Sequence, residues 1–221
     1  MIGSVQDLHI EWLDDPATFF RRHAEALAAI GASAFAQPAP VMRHQVADRF
    51  DKATLAQILR VGGEIVGFGL FDRLDIPERE SGLWIVEGRA IAPAHQRGGL
   101  GTRCFREFVD TTGANAVATV TRNPAICRMM AAEFRTVLPD LTSDRPLRTL
   151  RDPEVATAVR RYAAHLGIDV AEPPFLRNRY PGGLYGVRDP GLRMPLPEIS
   201  RDPSCGVITV GVGRKPLRVD D

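Results

Sequence analysis

The hydrophobic pattern changes period repeatedly along the chain, and each change predicts an element. Residues 8–13, LHIEWL, alternate and predict a strand. In DDPATFFRRHAEALAAI, Asp15 can cap a helix and Pro16 fits its first turn. Phe20, Ala24 and Leu27, with Phe19 and His23 beside them, then form an apolar stripe at helical spacing. AQPAPVMRHQ reads as a loop, because its composition does not support a regular element. In ATLAQILRVGGEIVGFGLFDRLD two apolar runs flank Gly62-Gly63, a pair that tolerates a primed turn, and a hairpin is predicted. Gly67 and Gly69 in its second strand predict a bulge or a closely packed neighbour. IPERES reads as a turn, and GLWIVEGRAIAP as a strand that Pro93 ends.

A glycine-rich turn, AHQRGGLGTRC, follows directly. A helix is then predicted from about Gly101 to Thr112, with Cys104, Phe105, Phe108 and Val109 inward and Gly113 as its stop. NAVATVT predicts a strand, and RNPAICRMMAAEF a helix with Asn123 as cap and Pro124 at its first position. Beyond residue 135 the pattern weakens. RDPEVATAVRRYAAHLG is a punctuated amphipathic helix, capped by Asp152, facing Val155, Val159, Tyr162 and Leu166 inward and ended by Gly167. EPPFLRNRYPGGLYGVRDPGLRMPLPE predicts loops with short strands. CGVITVGVG is a last strand, which either completes the main sheet or belongs to a small C-terminal extension. The order hairpin, strand, turn, helix, strand, helix predicts an α+β fold with at least one parallel pair. With no clean boundary and no internal repeat, residues 1–221 are expected to form one domain.

Composition narrows the function classes. Lys plus Arg number 28 and Asp plus Glu 27, a formal charge of +1. That balance, without a basic aromatic surface pattern, argues against a nucleic-acid partner and against attraction to acidic membranes. No window approaches the roughly 18 continuous apolar residues of a membrane-crossing helix. The start MIGSVQDLHIEWLDD lacks the basic and apolar regions of a signal peptide, so a soluble, cytoplasmic protein is expected. The three cysteines, Cys104, Cys127 and Cys205, are odd in number and irregular in spacing, which predicts no disulfide framework. No C-x-x-C or H-E-x-x-H spacing occurs, and no metal site is expected.

The glycine turn carries the candidate chemistry. Amides at a helix start have no partner within the helix, and the dipole adds partial positive charge there. A phosphate can sit on them where glycines allow close approach. Arg97 and Thr102 can add charge-assisted and hydroxyl hydrogen bonds. The turn is neither a Walker loop nor a G-x-G-x-x-G fingerprint. A tight strand-to-helix connection that merely needs flexible residues has the same signature.

QRGGLG, Gln96 to Gly101, resembles the Q/R-x-x-G-x-G/A motif of the GCN5-related N-acetyltransferases, the GNAT superfamily. The context matches too, with a strand before the motif, then a helix, AVATVT and Asn123. The resemblance covers roughly residues 5–135. It implies a mixed, mostly antiparallel central sheet flanked by helices, with a splayed parallel strand pair. Residues 136–221 would complete the sheet and form a Pro/Gly-rich wall on the acceptor side. It also implies that Gln96, Arg97, Gly98, Gly99, Leu100, Gly101 and Thr102 hold the pyrophosphate of acetyl-CoA or another acyl-CoA. The strand ending near Ile91 would bind the pantetheine arm, and Asn123 would open the helix beside it.

Acyl transfer to an amine needs a proton acceptor and a donor for the carbonyl oxygen. Backbone amides around Ile91 and Ala92 are the expected donors. Glu87, four residues before Ile91 in an apolar strand, shares its face if the strand is regular, and burial would raise its pKa. It is a candidate base, or else a partner of Arg89 or a substrate anchor. Many family members have a tyrosine seven residues after the asparagine; here Met130 stands there. Cys127, one turn earlier, is a candidate acid or nucleophile, with core packing as the alternative. Tyr180 and Tyr185 could supply an acid if the tail folds over the cleft. EGRAIAP, Glu87 to Pro93, is also similar to a stretch of autoinducer and long-chain N-acyl amino acid synthases, which leaves the acyl length open. Asp72, Asp75, Glu78 and Glu80 either attract a cationic amine or form a solvated turn. A small-molecule amine is the expected acceptor, and a homodimer through strand or tail exchange is compatible with the chain.

Overall fold

Residues 8–77, 79–96, 98–168, 174–177, 179, 194–202 and 204–216 are described by the computed structural model. The elements run β1 (Leu8–Leu13), α1 (Pro16–Phe35), α2 (Ala39–Lys52), β2 (Leu55–Val61), β3 (Glu64–Ile76) and β4 (Arg79–Ile91). They continue with α3 (Leu100–Thr112), β5 (Ala116–Thr121), α4 (Pro124–Glu133), β6 (Phe134–Leu138) and α5 (Pro153–His165). A short β7 (Phe175–Leu176), a one-turn α6 (Pro197–Arg201) and β8 (Gly206–Arg214) complete the chain. This is an α+β architecture of β-sheet and flanking helices. Two units are distinguished: Met1–Arg73 with Ile85–Phe108, and Leu74–Trp84 with Val109–Asp221.

In the first unit β1 pairs antiparallel with β2, and β2 with β3. Sheet alternation sends Ala56 and Ile58 of β2 to one face and Gln57 and Leu59 to the other. On the first face Phe20 and Leu27 of α1 and Met42, Val46 and Phe50 of α2 close a core with Ile58, Phe68 and Ala90. On the second, Leu59 and Val66 meet Leu100 and Cys104 of α3, with Ile91 beside them. Phe71 of β3 and Phe108 of α3 stack on that face, centroids 3.9 Å apart and planes within 4°.

The helix α1 forms as its sequence predicts. The Asp15 carboxylate accepts from the Thr18 amide at 3.0 Å, and Pro16 takes the first position. The stretch read as a loop, residues 36–45, is instead mostly helix α2. Its prolines sit at the helix start, where a missing N–H costs nothing, and Met42, Val46 and Phe50 repeat every fourth residue. The turn at IPERES is also shorter than expected, because β3 runs to Ile76 and β4 begins at Arg79. Arg73 and Asp75 occupy exposed alternate positions, which a strand with one solvated face accepts.

A register shift between Leu59 and Arg60 leaves Val66 as an extra residue in β3, a bulge beside Gly67. A Cβ at Gly67 would lie 2.7 Å from the Ala90 carbonyl oxygen and 2.9 Å from Leu59. Both readings of this glycine, bulge and close neighbour, therefore hold together. The neighbour is the backbone of β4.

In the second unit β8 lies between β5 and β6, antiparallel to both, and β7 pairs with it as well. The last strand thus completes a sheet. Asn123 and Asp152 cap α4 and α5 as expected, accepting from the Ala125 amide at 2.9 Å and the Glu154 amide at 2.9 Å. Val155, Val159 and Tyr162 of α5 are buried, while Leu166 is half-buried. Among the described residues no helix is long and apolar enough to cross a membrane.

Candidate functional site

The end of β4 and the start of α3 are joined by a short 3₁₀ turn, Pro93–His95, and the glycine stretch. The His95 amide closes that turn on the Ala92 carbonyl at 2.8 Å. The Gln96 side chain reaches back, its Nε2 donating to the Ile91 carbonyl at 2.7 Å. Gly99 has a φ of +74°, the left-handed region in which a side chain is strained. Space above the pair is open: a Cβ on Gly98 or Gly99 would meet nothing within 4 Å.

Helix α3 starts at Leu100, a residue earlier than the pattern predicts. The Arg103 amide donates to the Gly99 carbonyl at 3.0 Å, so the amides of Leu100, Gly101 and Thr102 lead the helix ahead of its first closed turn. Leu100 is buried as the anchor of that turn, while Gly98 and Gly99 are exposed. Arg97 falls outside the described residues.

Two polar contacts hold α3 against its strands. Arg89 of β4 donates from Nη2 to the Gly101 carbonyl at 2.7 Å, and its guanidinium carbon lies 5.7 Å from the Phe105 ring centroid. Desolvation lowers the Arg89 pKa from its ordinary value, yet an arginine so placed stays charged. Gln57 is 1 % exposed, and its Nε2 donates to the Cys104 carbonyl at 3.0 Å. Sequence reasoning passed over Gln57, although it is the one amide in the apolar run LAQILRV.

Along β4, Glu87, Arg89 and Ile91 are half-buried and alternate with buried Val86, Gly88 and Ala90. The first three therefore share the face toward α3. On the opposite face Arg49 of α2 donates from Nη1 to the Glu87 carbonyl at 2.6 Å. Gly88 makes room for it, since a Cβ there would lie 3.1 Å from that same nitrogen. Arg49 also escaped the sequence reading, because its helix did. One expectation needs correction. The Ala92 amide is already committed to the Val66 carbonyl at 2.8 Å, at the bulge of β3, and is not available as a donor to a reacting carbonyl.

Asn123 and Cys127 belong to the second unit. The Asn123 side-chain oxygen is spent on its helix cap, and its amide donates to Thr121 Oγ1 at 3.0 Å. Cys127 is 2 % exposed, in an apolar cluster with Leu196, Ile199, Cys205 and Val207, and its Sγ lies 3.7 Å from Thr209 Oγ1. Burial pushes its thiol up to about 11, so at neutral pH it is a protonated core side chain, a poor nucleophile. Met130 is fully buried. Tyr180, Tyr185 and Glu78 lie outside the described residues.

No protein-family model and no curated protein matches this chain. Similar solved structures include a GNAT family acetyltransferase from Brucella melitensis in complex with acetyl-CoA, at 21% identity and a TM-score of 0.40, covering 52% of this chain and 75% of that one. Another is the ribosomal-protein-S18-alanine N-acetyltransferase from Escherichia coli, at 15% identity and a TM-score of 0.44, covering 97% and 99%. A third is an IAA acetyltransferase from Bacillus cereus, at 12% identity and a TM-score of 0.44, covering 92% and 98%.

Proposed function

We propose that this chain is an acyl-CoA-dependent N-acyltransferase, using acetyl-CoA and a small-molecule amine. The observation that carries the reading is the start of α3. Its leading amides follow two exposed glycines with open space above them, on the residues that resemble the GNAT pyrophosphate turn. The amides and helix dipole would hold the diphosphate. The thioester would then be presented to the amine, and direct attack is mainly a matter of positioning. The amine nitrogen forms the new C–N bond and Glu87, on the strand face shared with Ile91, takes its proton in this reading; CoA leaves as the thiolate with the electron pair of the broken C–S bond and is protonated by water.

Gly98 supplies a clean test. Its backbone is outside the left-handed region and a Cβ there meets nothing within 4 Å, so Gly98→Leu should fold with a nearly unchanged melting midpoint. If the space belongs to a diphosphate, the same change should weaken CoA binding at least tenfold, measured by calorimetry. Unchanged affinity would sink the reading. A second reading, CoA binding without turnover, is favoured by Met130 at the tyrosine position and by the protonated, buried Cys127. Release of free CoA thiol from acetyl-CoA with a panel of small amines separates the two.

A further inference from the structure

A different cavity lies in the second unit, in the insertion between β6 and β8. It has a volume of about 700 Å³ and includes Arg145, Arg148 and Arg151 among its lining residues. Hydrogen bonds of the i to i+3 type, from the Arg148 amide to Arg145 at 2.9 Å, Leu150 to Leu147 at 3.1 Å and Asp152 to Thr149 at 3.0 Å, make a ladder of turns here that is 3₁₀ over Arg148–Arg151. In that geometry residues three apart eclipse one another. Arg148 and Arg151 therefore share one edge of the 3₁₀ segment, Arg145 lies one hydrogen-bonded turn before them, and all three are exposed. None of their guanidinium groups makes a hydrogen bond or ion pair with a described residue.

The segment stands on a fixed base. Thr149 Oγ1 donates to the Val137 carbonyl of β6 at 3.1 Å, and Asp152, which ends the ladder, caps α5. Beneath it the floor is apolar: Leu196 is buried, and Leu141 and Leu147 pack on the same cluster. The two carboxylates on the wall are Asp144, which accepts from Ser143 Oγ at 3.4 Å, and Glu198, in the first turn of α6. Three arginines and two carboxylate residues thus line the cavity beside an apolar cluster. Like charges that line one cavity repel, and an oxyanion between them relieves that repulsion through charge-assisted hydrogen bonds.

We propose that this cavity binds an amphiphilic anion, an oxyanion head on a short apolar body, with Arg145, Arg148 and Arg151 gripping the head and Leu141, Leu147 and Leu196 the body. The site is independent of the acyl-transfer reading and stands or falls without it. A phosphate and a carboxylate head share this chemistry, so the test uses both. The full chain is titrated by calorimetry with octyl phosphate, octanoate and inorganic phosphate, below the micelle concentration and at low salt. At least one amphiphile should bind saturably at one per chain and more tightly than inorganic phosphate. The tighter of the two then identifies the head. Arg148→Gln/Arg151→Gln should weaken that binding at least tenfold and leave the melting midpoint unchanged, since both side chains are exposed. Arg145→Gln is the second variant, with a smaller loss in the same direction. Absence of saturable binding by either amphiphile, or equal affinity in the double variant, would overturn the proposal.

Discussion

A single carboxylate decides how far the transferase reading can be taken at the level of residues. Glu87 is half-buried on the α3-facing side of β4, with Arg89 and Ile91 two and four residues on. Arg89 is turned toward the Gly101 carbonyl and the Phe105 ring. Arg49 reaches the Glu87 backbone carbonyl from the other face. If Glu87 takes the amine proton, Glu87→Gln should lower kcat about 10²-fold or more, the usual worth of a positioned base. Affinity for CoA should hardly change, because in the proposed reading the diphosphate would be held by the backbone of α3. Steady-state kinetics beside a CoA titration checks both halves. A near-normal kcat would reduce Glu87 to a strand residue, and a lost CoA affinity would make it a support for the turn.

At the level of elements, capping tells which helices stand on their own chemistry. Asp152 accepts from the amides of both Glu154 and Val155, at 2.9 and 3.3 Å, and holds α5 at the point where the arginine ladder ends. Asp152→Ala should cost about 1 kcal/mol, read from a urea unfolding curve. Asp152→Asn should recover most of it, since an amide oxygen caps as well. The same local signals explain which elements the sequence revealed. A cap, a proline and a stripe mark α1, α4 and α5 within a few residues, and the glycine turn with α3 behind it is equally local. Features made by distant partners stayed hidden. Strand β6 is five residues long without clean alternation, and its partner β8 begins about seventy residues later in the chain. Helix α2 was masked by prolines that open it, and with it went Arg49, whose contact with Glu87 spans 38 residues. Gln57 likewise meets α3 across 47 residues. The glycine turn and the start of α3 were therefore legible as local structure, and the side chains that hold them in place were not.

At the level of the whole molecule, the cysteines predict how stability responds to alkali. Cys104 is in the first unit and Cys127 and Cys205 in the second, and all three are buried free thiols. Desolvation pushes Cys104 and Cys127 up to about 11 and raises Cys205 as well. In the unfolded chain a thiol ionises near 8.5. Below that pH both states keep the proton, and the stabilisation is fully present. Above it the unfolded chain sheds protons that the native chain retains, so stability falls as pH rises toward 11. Urea unfolding followed by the fluorescence of Trp12, in the first unit, and Trp84, in the second, should show this loss beginning near pH 8.5. Tyrosine and lysine also titrate in the upper part of that range, so the decisive comparison is between variants. Cys104→Ala and Cys127→Ala should each lose some stability at neutral pH and show a shallower alkaline slope than the parent chain. Native protein should also resist a thiol reagent that labels all three cysteines once it is unfolded. Equal slopes in parent and variants, or rapid labelling of the native chain, would mean that these thiols are hydrated in solution.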